Sequence, residues 1–117
     1  VNNEVITMLT KQCRRFFLVF VALCFCLGAQ ADAVWIDVRS SAEHMIDRID
    51  GDVRISYDEI VAKADALFPD KSTEIRLYCR SGGRAGKAMT ALQEAGYTHV
   101  FNMGGIDDAR SARGLTE

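Results

Sequence analysis

One cysteine sits where chemistry is possible. The stretch Tyr78-Cys79-Arg80-Ser81-Gly82-Gly83-Arg84-Ala85-Gly86 places Cys79 after a β-prone run and ahead of a helix-prone one. The loop between them carries two glycines and two arginines. Gly82 and Gly83 permit the positive φ values that let successive backbone N–H groups face inward. Inward N–H groups at a helix N-terminus form a nest for an anion. A thiol facing such a nest ionises more readily, and a persulfide or a bound oxyanion is held in the same way. Arg80 and Arg84 add fixed positive charge and forked donors suited to an oxyanion. Taken singly, each part has a plain reading: a core thiol after a strand, two surface charges, an ordinary βα turn. Together within six residues they point to a nucleophilic thiolate.

The elements that must position this loop can be read from periodicity. Val34 to Val38 is a β-branched run that reads as a buried strand, ending in Asp37-Val38-Arg39. Ser40 or Ser41 caps a short helix through Met45, with Glu43 in its first turn. Ile49 to Gly51 reads as a turn and Val53 to Ile55 as a second strand. Ser56 is expected to cap a helix carrying Ile60, Val61, Ala64 and Leu67, with Pro69 after its end. Ile75 to Tyr78 is the third strand and runs straight into Cys79. A helix follows from about Arg84 to Ala95, with Ala85, Ala88, Met89 and Leu92 on one face and Gly96 as its stop. Val100 to Asn102 is the fourth strand, Gly104-Gly105 a turn, and Ile106 to Ala112 a short last helix.

This alternation predicts an α/β domain with a small, mainly parallel central sheet and helices on both faces. Ligands of such sheets sit at the carboxyl ends of the strands. Asp37-Val38-Arg39 and Cys79 both fall there, so they share one rim although they lie 40 residues apart in sequence. Trp35 reads as a core aromatic. His44 and His99 have no second ligand at metal spacing, so no metal site is expected.

Residues 1–31 have a different character. Lys11, Arg14 and Arg15 precede an unbroken apolar run from Phe16 to Leu27, followed by Gly28-Ala29-Gln30-Ala31-Asp32-Ala33. A basic start, a short apolar core and an A-x-A site are the pattern of a secretory signal peptide. Cleavage fits after Ala31 or Ala33, and the first leaves more chain ahead of the strand. A retained anchor is the alternative, but the run is shorter than the ~20 residues a spanning helix needs. The expected organisation is therefore residues 1–31 as extension and signal, and residues 32–117 as one domain.

Three of the four cysteines, Cys13, Cys24 and Cys26, fall in the signal, which leaves Cys79 as the only thiol of the mature domain. It has no internal disulfide partner and cannot contribute to a Cys₄ zinc site. Without Glu4, Lys11, Arg14 and Arg15 the domain has eleven basic and fifteen acidic residues, a net charge of −4. That disfavours nucleic acid and anionic membrane surfaces as partners. No dimer seam is visible, so a monomer is expected.

The Cys79-Arg80-Ser81-Gly82-Gly83-Arg84 loop resembles the active-site loop of the rhodaneses, a family of sulfurtransferases. Trp35-Ile36-Asp37-Val38-Arg39 with Glu43 resembles the family's first strand and following turn. Gly96 to Ile106 (G-Y-T-H-V-F-N-M-G-G-I) resembles its late strand and Gly-Gly turn. With the small size and the export signal, the likeness is to the single-domain periplasmic members of the phage shock protein E type. The resemblance implies a thiosulfate sulfurtransferase that carries sulfur as a Cys79 persulfide and hands it to cyanide or a thiol, with no cofactor. Arg80, Ser81, Gly82, Gly83 and Arg84 would bind the donor and stabilise the persulfide. Asp37, Arg39 and Glu43 would support the loop. A non-turnover sulfur carrier and a thiol redox sensor are the alternatives. Related cysteine phosphatases place arginine six positions after cysteine, whereas Arg84 is five after Cys79, and the shorter loop favours sulfur.

Two departures from the family pattern bear on the site. Where many members have Gly-His-Ile, this chain has Asp47-Arg48-Ile49, with Ser56 where a proline often stands, which leaves the packing of that turn open. Where the late motif often ends in tryptophan, Asp107-Asp108-Ala109 follows Ile106, so a more open and more acidic rim is expected.

Overall fold

Residues 32–116 are described by a computed structural model, and their apolar alternation dictates its layers. The strands are β1 (Val34–Asp37), β2 (Val53–Arg54), β3 (Ile75–Cys79) and β4 (Val100–Gly105). They form one sheet in the order β2-β1-β3-β4, and every pair is parallel. Along β3, Ile75, Leu77 and Cys79 turn to one face and Tyr78 to the other, as the two-residue period of a strand requires.

The helices are α1 (Ser41–Ile46), α2 (Ile60–Leu67), α3 (Gly83–Glu94) and α4 (Ile106–Ala112). On the first face, Ile60 and Ala64 of α2 and Ala85, Ala88 and Leu92 of α3 close over Ile36, Ile75 and Leu77. Full burial of each large aliphatic side chain here contributes about 1.5–3 kcal/mol. On the second face, Ile106 and Ala109 of α4 pack with Tyr78 and Ile49. Helices therefore cover both faces, as the sequence pattern predicts. α1 buries none of its residues; it stands at the rim and is held by polar contacts.

Several local expectations are corrected. Ser56 does not cap α2. Its hydroxyl donates to Asp58 Oδ1 at 2.5 Å, and α2 starts later with Glu59 as an N-cap that makes no side-chain cap bond. Gly104-Gly105 is not a free turn but the end of β4, where Cys79 pairs with Gly105 across an irregular register. Trp35 is half-buried rather than central. Its ring lies against the second-face cluster, 5.3 Å from the Arg76 guanidinium and 4.3 Å from that of Arg113.

The basic and apolar run and the A-x-A site lie outside the described residues. Among the described residues no helix is long and apolar enough to cross a membrane.

Candidate active site

The strand order reverses direction between β1 and β3: β2 lies to one side of β1, while β3 and β4 follow on the other. The carboxyl ends of β1 and β3 flank this switch point, where open parallel sheets leave a crevice. Asp37 ends β1 and Cys79 ends β3, so the topology alone brings them to one rim.

Cys79 is 1% exposed and is a free thiol at the floor of the loop. Its Sγ accepts the Gly82 N–H at 2.9 Å. Burial pushes the thiol pKa up, but the backbone amides of Ala85, Ser81, Gly82 and Arg84 together outweigh it and hold the pKa below its ordinary value. Of these amides, that of Gly82 meets hydrogen-bond geometry with the sulfur. Gly82 supplies the turn, as the N-cap of α3 with φ +97°. Gly83 does not take positive φ, and a Cβ there would meet nothing within 4 Å; of the two glycines only Gly82 is needed for the curl.

The two arginines of the loop separate. Arg84 faces Glu43, with Nη1 donating to Oε1 at 2.7 Å and Nη2 to Oε2 at 2.9 Å. This fork is the strong bidentate geometry. The Arg84 guanidinium holds the Glu43 carboxyl down to about 2; burial opposes this and Ser40 assists it. Arg80 is exposed and, alone among the residues from Cys79 to Arg84, lines a cleft of about 350 Å³ that it shares with Arg39, Glu43 and Asp107. Ser81 is also exposed.

Glu43 is placed by its own helix. Ser40 is the N-cap of α1: its Oγ accepts the Glu43 N–H at 3.2 Å, and Glu43 Oε1 accepts the Ser40 N–H at 3.3 Å. This reciprocal capping box fixes the first turn of α1 and aims Glu43 across the rim. Asp37 and Arg39 form a buried pair beside it. Arg39 Nε donates to Asp37 Oδ1 at 2.9 Å and Nη2 to Oδ2 at 2.8 Å, and the Arg39 backbone N–H adds a third bond. Burial raises the Asp37 pKa, but the Arg39 bonds more than offset it, so the net shift is downward. His44 Nδ1 lies 3.2 Å from Asp37 Oδ2, so this histidine has a partner within the rim network. Among the described residues no group of three or more potential metal ligands occurs.

The turn at Asp47-Arg48-Ile49 is packed by arginines. Arg39 Nη2 donates to the Asp47 carbonyl at 2.6 Å. Arg110, 7% exposed on α4, grips the Asp47 carboxylate at 2.5 and 3.1 Å and the Arg48 carbonyl at 3.3 Å. Ile49 is buried beneath them.

Sequence reasoning missed the support from β4. Asn102 Nδ2 donates to the Gly82 carbonyl at 2.9 Å, and its Oδ1 accepts the Gly104 N–H at 2.9 Å. Gly105 backs onto the loop so closely that a Cβ would lie 2.4 Å from the Arg80 carbonyl oxygen. The Asn102-Met103-Gly104-Gly105 run carried the signal, since two adjacent glycines at a strand end mark close backbone approach. The acidic pair also divides. Asp108 Oδ2 accepts the Gly105 N–H at 2.8 Å and caps α4, whereas Asp107 lines the cleft.

A parallel switch-point sheet with a cysteine nested at an αL turn defines a class. The family profile described as Rhodanese-like domain matches residues 27–112. The chain belongs to the rhodanese-like family, the rhodanese-type sulfurtransferases. It is 36% identical over 91 residues to thiosulfate sulfurtransferase PspE of Escherichia coli strain K12, a match covering 78% of this chain and 88% of that protein. Among solved structures it is similar to a rhodanese with anions from E. coli, with TM-score 0.63 and 35% identity, covering 66% of this chain and 91% of that one. A rhodanese-like domain from Anabaena gives TM-score 0.64 at 26% identity, covering 73% and 97%.

Proposed function

We propose that this protein is an exported, periplasmic thiosulfate sulfurtransferase that works through a Cys79 persulfide. The observation that carries the reading is the nested thiol: a buried sulfur accepting the Gly82 N–H, with amides that favour its anion over the thiol. The E. coli relative is named a thiosulfate sulfurtransferase, which supports the reaction assigned here.

In the first half-reaction the Cys79 thiolate attacks the outer sulfur of thiosulfate. A new S–S bond forms at Cys79, the S–S bond of the donor breaks, and its electron pair leaves with sulfite. Charge balances, since one thiolate and one dianion become one persulfide anion and one dianion. In the second half-reaction an acceptor thiolate or cyanide attacks the outer sulfur of the persulfide, and the Cys79 thiolate is regenerated. A sulfur at the floor of the loop favours a donor that presents a small terminal atom end-on. The inward amides hold the thiolate and then the persulfide anion, so charge stays near fixed dipoles through both steps. Arg80 at the cleft mouth attracts the sulfonate end, and Arg84 contributes its charge while remaining tied to Glu43. Asp37, Arg39 and Glu43 position the loop and take no part in bond making.

The test is the intact mass of the protein purified from its native export route, before and after thiosulfate, beside Cys79→Ser. The starting mass locates the N-terminus. A gain of one sulfur atom in the wild type only, removed by cyanide as thiocyanate, is expected. No gain with an intact fold refutes thiosulfate as donor. A persulfide that persists without turnover indicates a carrier, and sulfenic acid formation without sulfur uptake indicates a redox sensor.

A further inference from the structure

The charges around the cleft are unevenly matched. Asp37 holds Arg39, and Glu43 holds Arg84 through both terminal nitrogens. Arg110 is shared: Asp47 takes it at 2.5 Å and 3.1 Å, and Asp107 reaches only Nη1, at 3.2 Å. The Asp107 side chain is 86% exposed, whereas that of Arg110 is 9% exposed. Arg80 and Asp107 both line the cleft, with the apolar side chains of Ile46 and Ile106 between polar neighbours. The cleft thus offers incoming molecules one guanidinium without an ion-pair partner among the described residues and one carboxylate whose cation is mostly engaged elsewhere.

Arg80 follows Cys79 directly, so a donor or an acceptor that reaches the loop by its Arg80 end meets this cleft. The donor of the first step is an anion and suits Arg80. The geometry points to Asp107 as a specificity-determining residue for the second step, favouring thiol acceptors that carry a protonated amine over those that carry a carboxylate. This rests on the sulfurtransferase reading above. The selected class is small aminothiols: the ammonium lies toward Asp107 while the thiolate attacks the outer sulfur of the Cys79 persulfide. The products are the acceptor's persulfide and the Cys79 thiolate. Asp107 touches neither reacting sulfur; it acts on which acceptor is held.

The experiment loads Cys79 with inorganic polysulfide, so that loading does not depend on thiosulfate. It then follows single-turnover sulfur transfer to cysteamine and to 3-mercaptopropionate, with wild type, Asp107→Asn, Asp107→Lys and the control Asp50→Asn. Asp50 is exposed and outside this cleft. Intrinsic thiol reactivity cancels when the cysteamine-to-mercaptopropionate rate ratio of a variant is divided by that of the wild type. Asparagine can still accept from Arg110, which also keeps Asp47, so the fold is retained; thermal midpoints check this. The ratio is expected to fall about fivefold in Asp107→Asn at low salt and further in Asp107→Lys, the size of an exposed charge pair. The change resides in the half-saturating acceptor concentration and disappears near 1 M salt. Asp50→Asn leaves the ratio as in wild type. A ratio within twofold of wild type in both Asp107 variants overturns the inference. Failure of thiosulfate alone to load Cys79 refutes the proposed donor and leaves this comparison intact. Failure of polysulfide to load Cys79 overturns both.

Discussion

Replacing Glu43 with glutamine keeps the shape of the side chain and removes the charge that the Arg84 fork depends on. The carboxyl stands at about 2 against an ordinary 4.5, chiefly through the two bonds from Arg84. That difference corresponds to a ceiling of about 3 kcal/mol of folding stability. The two side chains are 31% and 30% exposed, so solvent screening reduces the expected loss to about 1–2 kcal/mol. The sign follows from the direction. The folded pKa lies below the unfolded one, so the contribution is complete above about pH 4.5 and is lost as pH falls toward 2. Urea unfolding of wild type and Glu43→Gln between pH 7 and pH 3 reads this directly. The stability gap should be widest at pH 7 and should shrink by roughly half or more by pH 3. Sulfur uptake by Cys79 should slow several-fold without being abolished, because Arg84 is freed and the first turn of α3 loosens. A gap of equal size at pH 3 and pH 7 would show that the charge in the fork does not stabilise the rim, and would refute the reasoning.

Three other outcomes are expected. Gly105→Ala puts a Cβ 2.4 Å from the Arg80 carbonyl oxygen; backbone must move, which costs about 1–3 kcal/mol by chemical denaturation and lowers kcat for sulfur transfer. Gly83→Ala, where a Cβ meets nothing within 4 Å, should leave both near wild type, and equal damage at the two sites would refute the close-approach argument. Asn102→Ala frees the Gly82 carbonyl and the Gly104 N–H, with a stability loss of about 1 kcal/mol and a fall in kcat rather than a rise in KM. The Cys79 thiol pKa lies below its ordinary value, so alkylation by iodoacetamide should reach its plateau rate at lower pH than free cysteine does. A profile at or above that of free cysteine would show that burial outweighs the loop amides.

Much of the fold was legible because its signals are local. The β-branched runs at Val34 and Ile75, the small apolar face of α3 and the Ile106 to Ala112 helix each follow from residues close in sequence. Ser40 and Glu43 were legible as a helix start, since a capping box spans four residues. The same local reasoning misplaced Ser56, which found a nearer acceptor in Asp58. It could not rank Gly82 against Gly83, because which glycine turns left-handed depends on what backs the loop. It took Gly104-Gly105 for a turn because two glycines permit one. In the structure they let β4 press against the Arg80 carbonyl instead, and that contact joins positions 25 apart.

What stayed hidden is the share of the loop's support that comes from β4 and α4, and this bears on how the site works. The loop's amides are useful only if they already point at the sulfur when the donor arrives. Hydrogen bonds within six residues cannot secure that alone. The loop is held on one side by Glu43 through Arg84 and on another by Asn102 through the Gly82 carbonyl, with Gly105 behind it. Glu43 is aimed by the cap of α1, and the turn that follows α1 is tied down by Arg39 and Arg110 through Asp47. Arg39 in turn is fixed by Asp37 at the end of β1. Arg110 thus ties the turn after α1 to α4 through the Asp47 carboxylate and the Arg48 carbonyl. Arg110 gives both terminal nitrogens to Asp47 and only one to Asp107, so the carboxylate of Asp107, one helical turn earlier and 86% exposed, stays on the lining of the cleft.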